Sequence, residues 1–109
     1  MPKTRVDQYE RARKAWSILT DCSRNRQTTT YGQLAEHMDV HPRVCRFFLG
    51  LIQDYCFNHN LPPLQSLVVN KHTRLPGEGY IATARDYRQI ERAHNTVFNY
   101  SWDTILNPF

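Results

Sequence analysis

No stretch of this sequence approaches the roughly 18 consecutive apolar residues of a membrane span. Its opening, MPKTRVDQYERARKAW, has no apolar segment of the kind a secretory leader requires. Cysteine is sparse: Cys22, Cys45 and Cys56 are odd in number and form no Cys-x-x-Cys pair, which argues against a disulfide framework. His41 and Cys45, four residues apart, can share a helix face, but a structural zinc ion wants four ligands. No metal or other cofactor is expected. Glycine, present at only four positions, builds no phosphate-cradling loop. Asp86, Glu91, His94 and Glu78 are polar candidates without an accompanying nucleophile, and such residues more often make surface hydrogen bonds. These absences leave a soluble, cytoplasmic, non-enzymatic protein as the expectation.

What is present fits one domain, residues 1–109, with 40% apolar residues and ordinary complexity. The formal charge is +4 and the pI about 9.2. Excess Arg and Lys attracts polyanions, and a pI above about 9 is one footprint of nucleic-acid binders. The placement of the charges has to decide.

Tyr9, Ala12, Trp16 and Leu19 recur at spacings of three and four, which predicts a first helix from Asp7 to about Cys22. The polar SRNRQTTT reads as a loop. Thr30 and Gln33 form a plausible capping box opening a short second helix that stops near Asp39. His41-Pro42 opens a third, because Pro at the first helical position has a preset φ and needs no N–H bond. This helix runs to about Phe57. Gly50 inside it costs about 1 kcal/mol against Ala and suggests close packing there. After Pro62-Pro63 come a strand ending in Leu67-Val68-Val69, a basic loop, and a second strand, Tyr80-Ile81-Ala82-Thr83. A last helix, about 85 to 99, and an apolar tail follow.

The predicted fold is mainly α with a small β-hairpin: a winged helix-turn-helix with its wing at about 64–83 and an extended C-terminal helix and tail at about 84–109. In helix-turn-helix proteins the N-terminal residues of the second helix of the unit meet base edges in the major groove. Here those are His41, Arg43 and Arg46, with Gln53 further along. An arginine so placed bonds guanine in a bidentate manner or grips a phosphate. Lys71, His72 and Arg74 at the hairpin tip would reach the flanking backbone. The competing reading is a solvated basic face.

The segments TTTYGQLAEHM, HPRVCR and PPLQSLVVNKHTRLPGEGY, taken in order, resemble the C-terminal DNA-binding domain of the O6-alkylguanine-DNA alkyltransferases and the alkyltransferase-like proteins. The resemblance covers about Thr28 to Tyr80. It implies that Tyr31 presses on the phosphate beside a flipped base and that Arg46 enters the stack in its place. Pro63 matches the proline of the active loop, Leu67-Val68 its Val-Val, and Gly79-Tyr80 its closing pair. Phe47-Phe48-Leu49-Gly50 is bulkier than the family's corresponding small-residue segment. The decisive departure follows Pro63: Leu64-Gln65-Ser66 stand where the alkyltransferases have Cys-His-Arg. Leu64 is no nucleophile and Gln65 no base, so the chain lacks the acceptor thiolate that alkyl transfer requires.

The expectation is therefore a non-enzymatic protein that binds duplex DNA through Tyr31, His41, Arg43, Arg46, Lys71, His72 and Arg74, in DNA repair or transcription regulation. An apolar Leu64 in the pocket leaves room for sensing a modified base without chemistry. The alternative is a protein–protein or dimerisation module on the same scaffold. Its motive is the late aromatics Tyr87, Phe98, Tyr100, Trp102 and Phe109, residue types favoured at interface anchors but equally at home in cores.

Overall fold

The computed structural model describes residues 7–76 and 84–109. Helix α1 (Gln8–Arg24) starts where the Asp7 carboxylate accepts from the backbone N–H groups of Tyr9 and Glu10 at 3.0 and 3.2 Å. Two of the four donors orphaned at a helix start are thereby satisfied. Ala12, Trp16 and Leu19 of the expected stripe are buried, Tyr9 at its start is exposed, and the helix runs two residues past the expected end. Ser23 is the reason: its buried hydroxyl donates to the Val97 carbonyl at 2.9 Å, tying the extra turn to the last helix. The chain turns out of the helix at Arg26, beyond the Asn25 cap, with a left-handed φ of 53°. Gln27 N–H then reaches Cys22 O and Arg26 N–H reaches Ser23 O, the pairing of a Schellman stop.

The predicted capping box is present. Gln33 N–H donates to Thr30 Oγ1, and Thr30 N–H to Gln33 Oε1, both at 3.1 Å. Helix α2 (Tyr31–Met38) follows and ends in left-handed Asp39. The third helix is divided. Pro42–Val44 form one 3₁₀ turn and α3 (Cys45–Asn58) continues from it. His41 caps the turn, its Nδ1 accepting from Arg43 N–H at 3.2 Å. Leu64–Leu67 form another 3₁₀ turn, α4 spans Ala84–Asn99, and Trp102–Thr104 make a last turn.

The strands differ from the expectation. Val68–Val69 (β2) pairs in parallel with Thr29–Thr30 (β1), in the register Thr29 to Val68 and Thr30 to Val69. The segment read as a loop thus supplies the partner of the strand read as a hairpin arm. The parallel pair needs only two residues from each side, too few for any periodicity to announce. The second expected arm, Tyr80-Ile81-Ala82-Thr83, and the closing Gly79-Tyr80 lie outside the described residues.

The core forms where α1, α3 and the Leu64–Leu67 turn meet. Leu64, Leu67 and Val68 are fully buried beside Phe48 and Ile52. Trp16 sits among aromatics: Tyr55 and Trp102 meet it edge-on with ring centres at 5.8 and 5.5 Å, and Phe109 lies tilted at 6.0 Å. Such geometry adds about 0.5–1.5 kcal/mol per pair beyond area burial. Trp102 also donates its indole N–H to Val97 O at 2.9 Å. Of the late aromatics, Trp102 is buried and Phe98, Tyr100 and Phe109 pack partly buried against the core. Four of the five residues that motivated a docking module therefore serve the domain's own interior. No helix among the described residues is long and apolar enough to cross a membrane.

Candidate nucleic-acid interface

The outer face of α3 carries Arg46, Gly50, Gln53 and Phe57, at spacings of four, three and four that stack them on one side of the helix. Opposite stands α4 with Ile90 and Ala93. Between them lies a cavity of about 450 Å³ with a base of Tyr31, Pro63, Gln65 and Ser66, and Pro76 from the basic loop at its edge. That volume falls among the roughly 300–1,000 Å³ of ordinary small-ligand sites. Among the described residues Arg46 is the single charged side chain of the lining; the others are apolar or neutral.

Two atoms of this cavity are unusual. Gln65 Oε1 and Ser66 Oγ are buried and have no hydrogen-bond partner among the described residues. Ser66 is only 6% exposed. Leaving such a group unpaired costs about 1–3 kcal/mol, and most buried polar groups in native proteins are paired. The main chain of Ser66 is firmly held, because its carbonyl accepts from His94 Nε2 at 2.6 Å. A carbonyl only accepts, so His94 carries its proton on Nε2 there. Ser66 thus lines the cavity on a fixed backbone, its hydroxyl oxygen shielded from solvent.

Tyr31 and Arg46, singled out separately in the sequence, line this one cavity with Pro63. Arg46 is exposed and lies over the Phe47 ring, 4.9 Å from its centre, which narrows the guanidinium's range. His41 and Arg43 are exposed at the amino end of the Pro42–Val44 turn leading into α3. Lys71, His72 and Arg74 are exposed on a tight turn. There Asn70 Oδ1 accepts from His72 and Thr73 N–H at 2.8 and 3.2 Å, and Arg74 N–H donates to Asn70 O at 2.7 Å. Leu75 anchors the turn in the core, and Tyr87 from α4 donates its hydroxyl to Thr73 O at 2.9 Å. Arg74 pays for its place with a left-handed φ of 59°.

Two expectations are corrected. Leu64, expected in the pocket, is fully buried in the core, so Gln65 and Ser66 take the cavity positions instead. Gly50 is not there for packing within the domain: a Cβ built on it meets nothing within 4 Å. Sequence reasoning also missed Ile90 and Ala93 as cavity residues, since their apolar spacing on α4 signals only a buried face.

Cys45 and Cys56 are buried, and burial raises both thiols above the ordinary range. Cys22, half-buried, is raised the same way, with Asp21 adding to it. Among the described residues no cluster of His, Cys, Asp or Glu could hold a metal ion. The chain matches no family model, and no curated protein and no solved structure matches it.

Proposed function

We propose that this is a non-enzymatic DNA-binding protein of alkyltransferase-like winged-helix type, which binds duplex DNA through α3 and the basic turn and takes an extruded base into the cavity. The observation that carries the reading is the joining of Arg46 and Tyr31 to a neutral cavity with two unpaired buried polar atoms. A planar base offers donors and acceptors on its edge and apolar faces to Leu49, Ile90 and Ala93. The exposed Arg43 guanidinium favours phosphate. Lys71, His72 and Arg74 add the salt-sensitive backbone contacts that dominate affinity for DNA. Gln65 and Ser66 give the pocket neutral hydrogen bonding, suited to discriminating a base by its edge, modified or not. The buried Leu64 and the raised thiol pKa values support binding without alkyl transfer.

Affinity for a fluorescent DNA duplex at low and moderate salt tests this. Arg46→Ala is expected to weaken binding about tenfold or more, whereas Arg13→Ala, exposed on α1, leaves it nearly unchanged. Equal affinities for the two variants refute the groove-reading model.

A further inference from the structure

The cavity does not end at Gln65. A second recess of about 500 Å³ adjoins it, lined by Gln53, Cys56, Phe57, Leu61, Pro63 and Gln65. Gln53, Pro63 and Gln65 belong to both recesses, so they form a saddle between two hollows rather than the end of one. Along α3 the joined trough reaches from Arg46 to Phe57, eleven residues, or about 16 Å at 1.5 Å per residue. Stacked bases are about 3.4 Å apart along a strand. One extruded base in the first recess leaves the second empty.

The second recess has its own invitation. Phe57 is 81% exposed on its wall, a bare ring in the last turn of α3. Among the described residues neither recess has a carboxylate in its lining, and the one charge there, Arg46, stands at the far end. Gln65, whose Oε1 has no partner among the described residues, belongs to the shared saddle. Gly50 leaves open space above the helix on the path between, the close approach of backbone to ligand for which glycine is suited.

Resting on the reading of the protein as a DNA binder, we propose that the trough takes two consecutive unpaired nucleotides of one DNA strand. The first base enters the recess between α3 and α4 beside Ser66. The second stacks on Phe57. Gln65 bonds at the step between them, and Arg46 holds the phosphate where the strand leaves the duplex. The natural substrate is then a helix with a two-nucleotide extrusion rather than one damaged base.

Anisotropy titrations with four labelled DNAs of one sequence test this: a perfect duplex, a one-nucleotide bulge, a two-nucleotide bulge, and a two-nucleotide bulge whose second residue is abasic. The two-nucleotide bulge is expected to bind about tenfold tighter than the one-nucleotide and abasic forms, the magnitude of one base–aromatic stack. Phe57→Ala should remove that factor and leave duplex and one-nucleotide affinities unchanged; the abasic substrate should be indifferent to the variant. The abasic control holds DNA bending constant, so bending alone cannot imitate the result. Equal affinities for the one- and two-nucleotide bulges overturn the proposal while leaving DNA binding in place. So does a preference that survives Phe57→Ala. If the wild-type protein binds none of the four DNAs, the reading beneath it fails as well.

Discussion

Replacing Ser66 with alanine should stabilise the free protein. Ser23 and Ser66 are both almost fully buried, at 1% and 6% exposure, yet their hydroxyls fare differently. Ser23 Oγ donates to Val97 O at 2.9 Å, while Ser66 Oγ has no partner among the described residues. Ser23→Ala deletes a made bond, worth about 0.5–1.5 kcal/mol; Val97 O keeps two other donors, the Trp102 indole and the Tyr100 N–H, so no acceptor is orphaned. Ser66→Ala deletes only a desolvated hydroxyl, whose burial costs about 1–3 kcal/mol. Its carbonyl keeps the His94 bond, which the substitution does not touch. The two replacements remove the same atom and should act in opposite directions. A difference of about 2 kcal/mol between the variants is expected, with Ser66→Ala raising the urea midpoint at unchanged slope. In heat, 1 kcal/mol moves the midpoint of a domain near 100 residues by about 4–8 °C. The same Ser66→Ala protein should bind extruded-base DNA more weakly, because the ligand has lost a partner. If Ser66→Ala destabilises as much as Ser23→Ala, the hydroxyl is satisfied in solution and the case for a ligand there loses its main support.

Arg74→Gly should be neutral or stabilising by up to about 1 kcal/mol, since glycine adopts the left-handed φ without strain; the slope of log affinity for DNA against log salt should meanwhile shrink by about one unit, as for the loss of one phosphate contact. Thr30→Ala breaks the capping box and should cost about 1 kcal/mol in chemical denaturation. Trp16→Ala opens the aromatic centre of the core and should cost about 3–5 kcal/mol, enough to unfold a marginal domain, as circular dichroism would report. Cys45 and Cys56 should resist a thiol reagent at neutral pH until urea exposes them. Burial raises their folded pKa above the unfolded value, so this source of stability is full below the ordinary thiol range and is lost as pH climbs through the raised value. Melts between pH 7 and 10 should therefore fall towards the alkaline end.

Local signals in the sequence translated well. The stripe of α1 from Ala12 onward, the Thr30–Gln33 box and Pro42 at a helix start each depend on residues within about a turn of one another, and each is found where expected. Helix ends fell within two residues of the expectation, although Arg26, Asp39 and Asn60, which adopt left-handed φ near 55° beyond them, are not the glycine that usually marks a stop. The β1–β2 pair was illegible. Thr29 meets Val68 across almost forty residues of chain, and two-residue strands have no alternation to read.

The candidate site shows why its most telling residues stayed hidden. Arg43, Arg46 and the basic turn advertise themselves by charge; Gln65 and Ser66 look like ordinary turn chemistry after two prolines. Their meaning depends on burial, which only the fold decides: the turn from Leu64 to Leu67 drives Leu64 and Leu67 into the core and leaves Gln65 and Ser66 on the cavity side. Gly50 follows the same logic. Its helix cost of about 1 kcal/mol was legible, but the packing that would have explained it is absent. Three residues along one cavity thus each forgo about 1 kcal/mol that alanine, or a partnered polar group, would recover. A domain of this size holds only about 5–15 kcal/mol in total. Local choices that work against stability gather at functional sites, and here they gather between α3 and α4.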